Sequence, residues 1–337
     1  MSPQLWIGLA LTLAAGLQSG NCMLPMKFVK RWAWENTWLV FSVFSLIILP
    51  WGLALGLVND VLSLYASLPA GIYVLPLILG AGWGVAQVLF GLSIARLGLA
   101  LGYAVIIGLG ALGGTLVPLV VKNASVIATS RGALILSGMV VMVSGIAVSA
   151  VAGRMREQAA GAVAPAGGSN YLAALAMAVI CGILAPMINY SFAFGQDIAE
   201  AAVRSGTSAA SAAYAVWPVT LAGGFLPNLL YSLYLLGKNG TWGKFRGSLA
   251  ADVGGAIGMS VLWMGSMATY GVAAVYLGTL GTSVGWALFQ IFNIMVANAS
   301  GILTGEWKTA PKAAMNRLLI GLLLLAVATA IIAAGNR

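Results

Sequence analysis

No histidine occurs anywhere in this 337-residue chain, and only seven residues are acidic. Without imidazole there is no histidine proton relay and none of the usual zinc sites. Cysteine is nearly as scarce. Cys22 and Cys181 both fall inside apolar runs, with no metal-ligand spacing and no disulfide framework, so neither a metal nor a cofactor is expected. Charged residues make up 7% of the chain, against roughly 25% in a soluble domain, too few to cover a water-facing surface. With 61% hydrophobic residues, the chain reads as an integral membrane protein in a lipid bilayer. The carboxylates Glu35, Asp60, Glu157, Asp197, Glu200, Asp252 and Glu306 all lie at the ends of apolar runs or between them. A charge at the centre of a span costs about 2.5–3.5 kcal/mol on insertion scales. No facing pair of carboxylates, no histidine and no metal-binding cluster together argue against an intramembrane hydrolase, and no enzyme is expected. The net charge of +9 does not point to nucleic acid, because the basic residues sit in short loops, as membrane topology signals do.

What the chain does contain is apolar length. At about 20 residues per crossing, ten runs are long enough: 4–25, 36–57, 71–94, 99–121, 132–152, 170–192, 211–236, 249–269, 277–303 and 314–334. The first has no basic residues before it and reads as a retained helix rather than a cleaved signal. Twelve of the 16 basic residues follow odd-numbered runs, among them Lys27, Lys30, Arg31, Arg96, Arg156, Lys244 and Lys308. The opposite side carries Lys122, Arg131, Arg204 and Arg337. The positive-inside rule then places both termini outside the cytoplasm. The one linker-like stretch, rich in Ala, Gly and Ser, begins at Arg156. It separates a first five-helix repeat, 1–155, from a second, 170–337, with 156–169 as a cytoplasmic linker. Five is odd, so the second half inserts upside down relative to the first. The expected fold is an all-α polytopic membrane protein, ten transmembrane helices as a 5+5 inverted repeat.

The repeat shows in the residues themselves. The stretch Trp83 to Gly102 joins two runs through a very short turn, and its layout returns 180 residues on. Trp83 pairs with Trp263, Phe90 with Tyr270, Gly91 with Gly271, and Gly98 with Gly278. Met23-Leu24-Pro25-Met26 is echoed by Leu184-Ala185-Pro186-Met187, which predicts paired helix kinks. Repeats in a polytopic protein point to a transporter whose site lies between the halves. Glycines spaced by four (Gly16 and Gly20, Gly52 and Gly56, Gly80 and Gly84, Gly98 and Gly102, Gly110 and Gly114) predict close helix packing. Trp6, Trp32, Trp34 and Trp51 read as markers of the membrane interfaces.

Neutral polar residues remain inside the runs. Gln18, Asn21, Gln87, Tyr103, Asn189, Asn228, Gln290 and Asn293 supply amides and a phenol that donate and accept hydrogen bonds, as an uncharged polyol requires. Trp217, Trp263 and Tyr270 offer aromatic faces for the apolar side of a sugar ring. Amides converging from several runs would line one cavity between the halves. The competing role for each is a hydrogen bond gluing one helix to another, about 0.6 kcal/mol apiece.

The segment Met26 to Trp51, MKFVKRWAWENTWLVFSVFSLIILPW, resembles the bacterial L-rhamnose–proton symporter family, within the drug/metabolite transporter superfamily. The likeness continues through Gly80 to Gly84, Phe90-Gly91-Leu92, Arg96-Leu97-Gly98 and Gly113 to Pro118. In the second half it includes Cys181-Gly182-Ile183, Glu200-Ala201-Ala202, Gly223-Gly224 with Asn228, and Glu306-Trp307. It implies a ten-helix inner-membrane carrier that moves a small neutral sugar together with a proton. The chain departs from the family pattern at Phe90, where the family carries a tyrosine, at Gln87, which is shifted, and in lacking histidine. Within the matching Glu-Ala-Ala, Glu200 is the carboxylate assigned to proton coupling. Its competing role is a solvated charge paired with Arg204 four residues on. The leading expectation is thus secondary active symport of a small sugar, L-rhamnose or a related deoxysugar, by alternating access. Two alternatives stand beside it: an exporter of metabolites, amino acids or drugs, and a non-transporting membrane sensor.

Overall fold

Every one of the ten apolar runs folds as a membrane-length helix. The computed structural model describes residues 3–161, 169–246 and 249–336, and no strand occurs among them. The spans are 1, Pro3–Phe28; 2, Trp34–Leu57; 3, Gly71–Leu97; 4, Ala100–Lys122; 5, Ser130–Ala159; 6, Tyr171–Arg204; 7, Ala209–Asn239; 8, Ala250–Tyr276; 9, Gly278–Leu303; and 10, Lys312–Gly335. In lipid no water satisfies backbone amides, so a chain this apolar must bond its backbone within each segment. The helix of span 5 runs on to Ala159, past the expected start of the linker at Arg156. Residues 162–168 of that linker lie outside the described residues.

The hydrogen bonds between loops sort the molecule into two faces. On one, Lys27 Nζ meets Glu306 Oε1 at 2.7 Å and Arg156 Nη1 meets Glu306 Oε2 at 3.6 Å. There too the Ala100 amide donates to Glu157 Oε1 at 2.9 Å, and the Lys30 and Arg31 amides donate to Asp252 Oδ1 at 2.7 and 3.0 Å. Asn239 and Thr241 donate to Glu35 on the same face. These ties join the segments that follow spans 1, 3, 5, 7 and 9. The opposite face is joined by the Asn59 amide donating to Thr207 Oγ1, Asn123 Nδ2 to the Thr279 carbonyl, and Asn336 Nδ2 to the Leu277 carbonyl. The face gathering the ends of the odd spans carries most of the basic residues.

Packing follows a repeating scheme. Span 1 lies against spans 8 and 9, and span 6 lies against spans 3 and 4. Span 3 lies against span 7, span 8 against span 2, span 5 against span 10, and span 4 against span 9. Exchanging each span for the one five places along maps these contacts onto one another. The hairpin turns match as well. Gly98 closes the turn between spans 3 and 4 at φ 81°, and Gly278 closes that between spans 8 and 9 at φ 76°, a backbone region that side chains with a Cβ avoid. The echoed prolines also sit at matching breaks. The α-helix of span 1 ends at Asn21 and passes into a tight 3₁₀ turn, Leu24–Phe28, containing Pro25. Span 6 breaks between Leu184 and Met187, at Pro186, and bends again at Gly195.

The glycine pairs divide. A methyl at Gly80 would collide with the Thr220 carbonyl and one at Gly84 would lie 2.5 Å from the Gly224 carbonyl, so spans 3 and 7 touch backbone to backbone. Gly20 abuts Asn293 and Val296, Gly16 abuts Phe292, and Gly114 meets the Trp286 indole. Gly52 and Gly56 meet nothing within 4 Å, so the expectation of close packing fails there. Their side of span 2 faces away from the other helices.

Candidate functional site

Spans 1, 2, 3, 4, 6, 8 and 9 enclose a cavity of about 490 Å³. Its walls are mainly aromatic: Trp34, Trp38, Trp83, Trp263, Trp286 and Phe289. Trp83 and Trp263, the pair expected from the sequence echo, stack in its wall with centroids 5.3 Å apart and planes 21° from parallel. Trp34 stacks on Trp38 at 4.9 Å. Trp34 therefore belongs to the cavity wall, not only to the membrane interface. Two of the indoles are pinned, since Trp38 Nε1 donates to Asn228 Oδ1 at 2.9 Å and Trp286 Nε1 donates to the Gly110 carbonyl at 3.1 Å.

Five of the eleven residues chosen from the sequence line this cavity: Gln87 from span 3, Tyr103 from span 4, Trp263 from span 8, and Gln290 and Asn293 from span 9. No residue lining it is charged. The polar side chains that line it include the amides of Gln87, Gln290 and Asn293 and the Tyr103 phenol. Among the described residues, no protein partner takes up the amides of Gln87, Gln290 and Asn293. A polar side chain held beside apolar walls without a partner favours any solute able to bond it.

The other six have structural partners. Gln18 faces Thr269, which donates to it at 3.4 Å. Asn21 accepts from Ser300 at 2.6 Å and donates to the Leu17 carbonyl. Asn228 is spent on Trp38 and the Gly224 carbonyl. Asn189, Tyr270 and Trp217 are fully buried beyond the cavity's closed end, where Tyr270 donates to Asn189 Oδ1 at 2.5 Å and Phe192 stacks on Trp217 at 4.7 Å. For all of these but Trp217, whose indole N–H has no acceptor, the helix-gluing role describes the geometry seen here. Sequence reasoning missed Trp34, Trp38, Trp83, Trp286 and Phe289 as walls, although the pairing of Trp83 with Trp263 in the repeat was the available signal.

A second space of about 320 Å³ adjoins the first and shares Gly20, Met23, Tyr103 and Ala297 with it. Small residues line it, including Ala100, Ala150, Gly153 and Gly301, and it ends at Lys27, Arg156, Glu157 and Glu306 on the basic face. Together the two form a path from mid-protein to that face. Glu200 lies elsewhere. It sits on a short helix, Gln196–Arg204, rather than in a loop, 68% exposed and 3.9 Å from Arg204 on the opposite face. Among the described residues no cluster of His, Cys, Asp and Glu has metal-binding geometry.

Comparison with known proteins places these features in a family. The profile of the family described as L-rhamnose-proton symport protein (RhaT) matches residues 1–337. An L-rhamnose-proton symporter of Mannheimia succiniciproducens is 28% identical over 329 residues, covering 95% of each chain. One of Cronobacter sakazakii is 26% identical over 343 residues, covering 99% of each, and one of Klebsiella pneumoniae is 28% identical over 330 residues.

Proposed function

Because the chain belongs to the L-rhamnose-proton symport protein family, we propose that it is a proton-coupled symporter of a small neutral sugar, L-rhamnose or a related deoxysugar. The family and its relatives are transporters, and the ten apolar helices make this chain a multi-pass inner-membrane protein. The observation that carries the sugar assignment is the uncharged cavity in which free amides of spans 3 and 9 stand beside stacked indoles. A deoxysugar ring presents hydroxyls to the former and an apolar face to the latter. Cavities of a few hundred Å³ suit such solutes.

Alternating access is supported by the contact scheme, in which the first and second five spans exchange partners, and by a cavity that continues to the basic face. With the positive-inside rule, that face is cytoplasmic and both termini are periplasmic. Coupling at Glu200 requires desolvation to raise its affinity for the proton. In this conformation the side chain is exposed, so the desolvation must come from another state of the cycle. Right-side-out vesicles given radiolabelled L-rhamnose test the assignment. Accumulation above an empty-vector control is expected, and none, with the protein verified in the membrane, overturns the sugar.

A further inference from the structure

The two copies of the hairpin motif stand in opposite surroundings. In the first, Phe90 borders the cavity and a Cβ at Gly91 would meet nothing within 4 Å. In the second, Tyr270 is fully buried, and a Cβ at Gly271 would lie 3.1 Å from Trp217 Nε1 and 3.4 Å from the Phe192 ring. The turns that close the hairpins are alike, at Gly98 and Gly278. One motif is therefore open in the first half and shut in the second.

One side chain ties four spans together on the shut side. Asn189, on span 6, is 0% exposed. Its Nδ2 donates to the Gly114 carbonyl of span 4 at 2.8 Å and to the Thr282 carbonyl of span 9 at 2.9 Å. Its Oδ1 accepts from the Tyr270 hydroxyl of span 8 at 2.5 Å. Both amide hydrogens are used, and four spans meet at one residue. The knot sits directly behind the cavity, since Asn189 follows Ile188, which lines it, and Tyr270 packs on the lining rings of Phe289 and Trp286 at 5.4 and 5.6 Å. Farther out, Lys122 donates to the Ala193 carbonyl, a second tie between spans 4 and 6. The repeat places no such amide at the mouth. The residue matching Tyr270 is Phe90, which has no hydroxyl to offer, and the mouth is bridged by the ion pairs of Glu306 instead. The seal is also imperfect, because Trp217 Nε1 is buried in it without an acceptor.

We propose that Asn189 is the positioning residue of this seal, and that its knot comes apart during the cycle to make Tyr270, Gly271 and Trp217 the wall of a cavity open to the other face. The proposal rests on the alternating-access reading, but its test needs no knowledge of the sugar. Gly91→Cys, in a chain whose Cys22 and Cys181 are replaced by Ala, places a thiol in the cavity where it meets no atom. A cationic, membrane-impermeant methanethiosulfonate is then applied to vesicles of each orientation. The parent should react when the basic face is exposed and be protected when the other face is exposed. Tyr270→Phe, which keeps the ring, and Asn189→Leu should each raise the rate from the other face several-fold and lower that from the basic face. A merely destabilised protein would react faster from both sides. Unchanged rates from both faces in Tyr270→Phe, with the protein folded, overturn the proposal even if Asn189→Leu does not fold. A parent unreactive from either face overturns the cavity reading, and the proposal with it.

Discussion

Gln87 and Gln18 are indistinguishable as letters in apolar runs, yet one faces the cavity and the other a threonine on span 8. The difference predicts two kinds of mutant. If Gln87 and Gln290 bond the solute as proposed, Gln87→Leu and Gln290→Leu should each raise KM for uptake about three- to tenfold, equivalent to about 0.5–1.5 kcal/mol. Folded yield should not change. Asn228→Ala should do the reverse. It strands the buried Trp38 indole N–H and should cost about 1–3 kcal/mol of stability, seen as a lower melting temperature in detergent, with little effect on KM. For Glu200→Gln, the expected result is loss of uphill accumulation with substrate counterflow intact, because exchange needs no net proton movement. A mutant that still accumulates sugar after a pH step removes Glu200 from the coupling path. At this scale the sequence displayed which side chains are polar but not which way they point, because orientation depends on neighbours hundreds of residues away. Asn21 finds Ser300, and Trp38 finds Asn228.

Among elements, the glycine pairs make the same point more sharply. Gly52 with Gly56 and Gly80 with Gly84 share one spacing, and only the second pair meets another helix. Gly80→Ala should push spans 3 and 7 apart, at about 1–3 kcal/mol for overpacking. Gly52→Ala should stay within about 0.5 kcal/mol, as surface changes do. Thermal unfolding of the two variants, followed by size-exclusion fluorescence, compares them directly, and equal losses would mean that the close approach at Gly80 is not limiting. The number of spans, the hairpin turns and the proline breaks were legible beforehand, because apolar length, Gly and Pro act on the backbone locally, whereas spans 5 and 6 run well past their expected ends. The π-helical turn Phe44–Ile48 just ahead of Pro50 was not, and neither was the division of span 6 at Gly195.

At the scale of the whole molecule, the sorting of loops onto two faces turns the distribution of basic residues into a testable orientation. A C-terminal alkaline phosphatase fusion should be active and a green fluorescent fusion dark; the opposite pattern would reverse the assignment of faces while leaving the packing untouched. The ten spans were countable from hydropathy alone. A cavity between the first and second five spans was expected from the repeat rather than from hydropathy, and most of its aromatic walls were not legible, because seven spans supply the lining and no single run carries the signal.

The exchange of partners between halves also bears on how the chain is made. Span 1 is translated well ahead of span 9, but its Gly16 and Gly20 close on Phe292, Asn293 and Val296 of that span. Until then its small-residue face has only lipid against it. The first five spans complete their packing only once the later spans are made. In pulse–chase labelling, a chain ended after span 5 should be short-lived, and co-expressing residues 170–337 should lengthen its half-life by supplying in trans the surface that span 1 was built to meet.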